Sequence, residues 1–360
     1  MARPPDRVED ADRFGDDREA VRATVRPLVV LGLAVPLLVL IVVVVIARAN
    51  RNPTGQPPRP SGTQAPFVEG VAWRTQAPAP TERGEVAVTT ADGRIYVIGG
   101  LDADGGSLAT VEIYDTRTGT WNAGPPLPAA VNHPMAASAG GRVYAFGGYG
   151  TDGAPRSSAD RLDGAGWVAA APLPQPRAAA TAVAAGDRIY VAGGVDATGA
   201  PARDLLAYDP VGDRWEVLPG MPTPREHLGG AAFGGRVYIV GGRAPATGNL
   251  AAFEVYDPAT KMWTSSPDLP TRRGGLAATA TCNGQIVAVG GEADVTFFEA
   301  EAFDVATNRW RSLPLVPTAR HGLGVAADGA IVHVVAGGRA PGLAVSDLNE
   351  SIDLSPLGAC

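Results

Sequence analysis

Six segments of this chain end in a pair of glycines at a near-constant spacing. The pairs are Gly99-Gly100, Gly147-Gly148, Gly193-Gly194, Gly241-Gly242, Gly290-Gly291 and Gly337-Gly338, separated by 48, 46, 48, 49 and 47 residues. Self-similarity at such a period means one supersecondary unit repeated around or along an axis. Each pair closes a short apolar run, as in IYVIGG or VYIVGG. A turn pair precedes each run: Asp92-Gly93, Gly140-Gly141, Gly186-Asp187, Gly234-Gly235, Asn283-Gly284 and Asp328-Gly329. Residues of these types supply the positive φ that a two-residue hairpin needs.

The rest of each unit agrees. After a loop of variable length comes a third strand ending in a large apolar residue and Asp: Tyr114, Leu162, Tyr208, Tyr256, Phe303 and Ile352 precede that Asp. A Trp follows seven residues later at Trp121, Trp215, Trp263 and Trp310, and five residues later at Trp167. Ten residues beyond a Trp stands an arginine: Trp73 leads to Arg83, and the same offset gives Arg177, Arg225, Arg273 and Arg320. Trp121 is the exception, leading to Val131.

On these residues the chain resembles the Kelch-repeat family. The resemblance covers about residues 68–357 and implies an all-β, six-bladed propeller with four antiparallel strands per blade around a central channel. The last unit ends at Asp353 without a Trp, whereas Trp73 belongs to no unit of its own. Residues 68–77 are therefore expected to supply the fourth strand of the last blade, which removes an open sheet edge. The Trp, Tyr and Phe positions read as packing residues between blades.

Ahead of the repeats, residues 27–47 form an uncharged apolar run of 21 residues. That meets the length of a membrane-spanning helix and exceeds the usual core of a cleaved signal peptide. The preceding 26 residues carry seven acids beside six arginines, unlike a basic leader. The expected order is a charged tail (1–26), a transmembrane helix (27–47), a Pro-rich linker (48–66) and the propeller (67–360). A signal anchor of this kind would place the propeller outside the cytoplasm; the flanking arginines favour that orientation only slightly. The net charge of -7 argues against nucleic acid as a partner. The two cysteines, Cys282 and Cys360, lack metal-ligand spacing. They read as free thiols, with a pairing between them as the alternative.

The links entering the blades and the loops after the glycine pairs share one face. Arg83, Arg177, Arg225, Arg273 and Arg320 are therefore expected at one channel mouth. They would either hydrogen-bond between blades or form a basic ring that attracts carboxylates. His133 and His227 lie two residues past the arginine position and His321 one past it. Being on blades two, four and six and in two registers, they are not expected to converge on a metal, and no cofactor is expected. His333 falls inside a strand and reads as a packed residue. Arg243 and Arg339, each directly after a glycine pair, would add to the charged face.

No nucleophile elbow, phosphate loop or metalloprotease helix is present. The family includes a copper radical oxidase, but neither cysteine stands in a loop of the expected face, as its modified tyrosine would require. It also includes a sialic-acid epimerase, which needs only polar residues at the mouth. The dimerising domain of cytoplasmic Kelch adaptors has no room in residues 1–66. The expected function is a membrane-tethered binding module for a protein, peptide or glycan, with the epimerase type of carbohydrate-active enzyme as the alternative.

Overall fold

The computed structural model describes residues 66–360. The tail, the membrane segment and all but the last residue of the linker lie outside the described residues. Six four-stranded antiparallel sheets follow one another along the chain. In blade 1 the strands run Ala87–Ala91, Arg94–Ile98, Val111–Asp115 and Thr120–Ala123 from the axis outward. Blades 2 to 5 repeat this order, and blade 4 adds a small hairpin of Arg243–Ala244 with Gly248–Asn249.

The second strand of each blade is buried on both faces, which is why it reads as a continuous apolar run rather than an alternating one. Ile95, Val97, Ile189, Val237, Ile239, Ile286 and Val332 are fully inaccessible. The core is not one mass but six layers, each shared by two neighbouring blades. The inner strands crowd the axis and so are built mainly of small residues, Ala above all. A Cβ on Gly324 would sit 1.9 Å from a Val88 methyl.

The ring closes as expected. Trp73–Thr75 is the outer strand of blade 6 and pairs with Asn349–Asp353, Trp73 lying opposite Ile352. The same cross-strand pair recurs as Tyr114 with Trp121, Tyr208 with Trp215, Tyr256 with Trp263, Phe303 with Trp310 and, in the shortened repeat, Leu162 with Trp167. All six indoles also donate Nε1–H to a backbone carbonyl just beyond the outer strand of the preceding blade. Trp73 reaches Pro314, Trp121 Ala77, Trp167 Pro125, Trp215 Ala171, Trp263 Pro219 and Trp310 Pro267, at 2.7–2.9 Å. The tryptophans thus lace each blade to its neighbour.

Two sequence expectations need correction. In blade 6 the left-handed pair is Ala336-Gly337, not Gly337-Gly338. Ala336 has φ 59° and Gly337 93°, and the Gly337 amide makes the bond to Arg83 O that the second glycine makes in other blades. Cys282 and Cys360 are not free thiols: they are disulfide-bonded, with Cα atoms 5.0 Å apart, inside the usual range for such a bridge. The C-terminal tail folds back on the first hairpin turn of blade 5, where Asn283 Nδ2 also donates to the carbonyls of Leu354 and Gly358.

Candidate functional site at the channel mouth

The arginines do not form a charged mouth. Arg83, Arg177, Arg225, Arg273 and Arg320 are all at most 1% exposed. Arg83, Arg225, Arg273 and Arg320 turn back and bond into the blade they enter rather than bridging two blades. Arg225 donates to Gly241 O, Ile239 O and Thr223 O and forms a 2.5 Å ion pair with Glu254. Arg83 pairs with Glu112, Arg273 with Glu301 and Arg320 with Glu350 in the same way. A threonine two residues before the arginine binds the other carboxylate oxygen: Thr81, Thr223, Thr271 and Thr318. At Arg83, Arg225 and Arg320 burial pulls the guanidinium pKa down, opposed by the paired glutamate.

Two blades break the module in complementary ways. Blade 2 keeps an acid, Asp160, but has Ala129 and Val131 where the threonine and arginine would stand. Burial raises the Asp160 pKa. Blade 3 keeps Arg177 but has Gln175 and Leu206 at the other two positions. None of the Arg177 side-chain nitrogens has a hydrogen-bond partner.

The mouth itself is built one step further along. The residue two past each arginine position approaches the axis, and the six such residues join in a closed belt of backbone hydrogen bonds. Glu85 N–H donates to Gly322 O, His133 to Glu85, Ala179 to His133, His227 to Ala179, Gly275 to His227 and Gly322 to Gly275, at 2.7–3.2 Å. All six are left-handed, with φ between 50° and 68°. Glycine takes that backbone freely, whereas other residues are strained in it. Four of the six nevertheless carry side chains, and a Cβ at Gly322 would strike the Glu85 carboxylate.

At this belt, residues from five blades form one polar network. The expectation that the histidines stay apart is overturned for His133 and His227, whose ring centres are 4.8 Å apart. His133 Nε2 lies 3.0 Å from Glu85 Oε2, and His321 Nδ1 lies 3.2 Å from Glu85 Oε1 and 3.3 Å from Glu292 Oε2. His227 Nδ1 contacts Glu226, which Arg243 holds at 2.6 Å while also reaching Glu292 at 2.8 Å. His133 Nδ1 faces Asn132 Oδ1 at 2.6 Å, and Tyr149 packs edge-on to the His133 ring. Arg243 is thus engaged in two ion pairs, whereas Arg339 lies exposed on the blade 6 loop.

Burial opposes ionisation of Glu85, but His133, His321 and His227 together hold its carboxyl well below the usual range. Burial likewise works against Glu226, which His227 and Arg243 keep low, and against His321, which Glu85 and Glu292 raise. Three carboxylates face one guanidinium, so of the two readings of the arginines the basic ring does not hold. Beside it, the loops of blades 5 and 6 expose Val295, Phe298 and Leu343. These loops touch where Thr296 Oγ1 donates to Arg339 O.

The described residues thus make a six-bladed β-propeller with a polar funnel at one mouth. Two family models match within it: the KLHDC2/KLHL20/DRC7 Kelch-repeats domain over residues 167–338, and the Kelch motif over residues 82–128. The solved structure of YjhT is similar, with a TM-score of 0.66 at 14% identity over 76% of this chain and 95% of that one. At that identity the likeness concerns the fold alone. No curated protein matches the sequence.

Proposed function

We propose that this chain is a membrane-tethered recognition module that takes a protein or peptide segment at the belt-side mouth. Kelch propellers are in general protein-interaction modules. One observation carries the reading to this face: a rigid polar floor of Glu85, His133, His227 and His321 lies beside exposed apolar side chains, Val295, Phe298 and Leu343. Large apolar groups at the edge of a fixed polar site suit a ligand that buries an anchor and hydrogen-bonds beside it. The apolar run at 27–47 would be the tether, with the propeller outside the cytoplasm. The disulfide supports that side, since such bonds persist in oxidising compartments.

A second reading rests on Glu85. An ionised carboxylate held between two histidines in an open mouth has the parts for proton transfer to and from a small sugar. This is the carbohydrate-active alternative.

The test probes the full-length protein in detergent with a displayed peptide library and a glycan array. Selected peptides should bind the parent chain and lose at least about tenfold in affinity with Phe298→Ser or Leu343→Ser, in line with truncation of an interface anchor. Val211→Ser, an exposed apolar residue on the opposite face, should change nothing. Loss of binding in the Val211 variant alone would refute the assignment of the face. Turnover of an array sugar that Glu85→Gln abolishes would favour the second reading.

A further inference from the structure

We infer that Glu85, His133 and His227 bind one first-row divalent transition-metal ion, of the zinc class, at the centre of the belt. Their ligand atoms all lie within 4.8 Å of one another. The separation of Glu85 Oε2 and His133 Nε2, 3.0 Å, is that of two adjacent ligands each about 2.1 Å from a shared ion.

The orientation of the rings points the same way. Asn132 Nδ2 donates to Ser107 Oγ at 2.8 Å, which turns Asn132 Oδ1 toward His133. His133 Nδ1 therefore carries a proton, and Nε2 is the ring nitrogen that faces the Glu85 carboxylate. A neutral imidazole lone pair and a carboxylate oxygen at that distance can share one cation, which a metal ion supplies when Nε2 is unprotonated. His227 is pinned in like manner by Glu226 at Nδ1, and Arg243 holds Glu226 in place. Histidine ligands of metals characteristically donate their other nitrogen to a carboxylate or carbonyl in this way.

The belt also leaves room for further ligands. Its remaining positions are Ala179, Gly275 and Gly322, so water or a ligand group could complete the sphere from the funnel. Two imidazoles and one carboxylate suit zinc, cobalt or ferrous iron, and do not suit calcium or magnesium, which prefer all-oxygen sites. The inference does not depend on what the face recognises.

The test uses full-length protein stripped with a chelator and titrated with Zn²⁺ and Co²⁺. One ion per chain is expected, with visible Co²⁺ bands and no competition from Ca²⁺ or Mg²⁺. His133→Asn and His227→Asn, chosen because Asn tolerates left-handed backbone, should each weaken Zn²⁺ binding by about 100-fold. His333→Asn, within the second strand of blade 6, should leave it unchanged. In the unmutated protein, zinc should protect His133 and His227 from diethylpyrocarbonate, read by mass spectrometry. Absence of saturable binding, affinity indifferent to both belt variants, or equal labelling with and without zinc would each overturn the site.

Discussion

At the scale of single residues, the same side chain has opposite consequences in different blades. Arg225 and Arg177 are both buried, but only Arg225 has a carboxylate partner. Removing one member of a buried ion pair strands the other, at a cost of about 3–5 kcal/mol. Arg225→Met should therefore destabilise by that amount in chemical denaturation. Arg177→Met removes a guanidinium with no hydrogen-bond partner, so it should fall within about 1 kcal/mol of the parent or be more stable. Equal losses in the two variants would contradict this account. His333 makes a second case. It is 5% exposed, and burial lowers its pKa from 6.5. Its neutral form is the one the fold favours, so its contribution is fully present above pH 6.5 and is lost as pH falls through the lowered folded value. The associated slope approaches about 1.4 kcal/mol per pH unit between those limits. His333→Leu should flatten that part of the stability profile, and an unchanged profile would rule the group out.

At the scale of the element, each blade is held to the next by an indole. Trp73→Phe keeps the ring but orphans the Pro314 carbonyl at the seam, and should cost about 1 kcal/mol in thermal or denaturant unfolding. The blades were legible in the sequence because a radial repeat forces the same spacing six times, and Trp73 revealed the closure. The sequence hides the register of blade 6 because Ala336 adopts the backbone usually given to glycine. The site was only half legible. His133 and His227 stand out by residue type, whereas Glu85 occupies the same register with a side chain that is common on any surface and so gives no signal of its own. The acids that neutralise the arginines were also readable in principle. Glu112, Glu254, Glu301 and Glu350 each hold the second position of a third strand. Convergence of the mouth was not readable, since it depends on backbone bonds between blades that no local pattern encodes.

At the scale of the whole molecule, the ring is fastened by noncovalent closure and by one covalent bond. The disulfide spans a sequence separation of 78 residues. Cys360→Ser, or reduction, should lower stability by about 2–4 kcal/mol, and alkylation of the protein taken directly from cells should find both thiols blocked. Free thiols in that assay would argue against an oxidising location. The closing strand has a mechanical side as well. Residues 66–75 contact the outer strand of blade 5 at Ser312 and complete blade 6 through three paired residues. Any pull transmitted from residues ahead of Pro66 therefore arrives at the seam of the ring. The partner strand belongs to the chain end clamped by Cys360, so the short N-terminal strand is the piece that would slide free. Under tension the propeller would give way first at this strand, as a fuse that opens one blade edge while five blades keep their form.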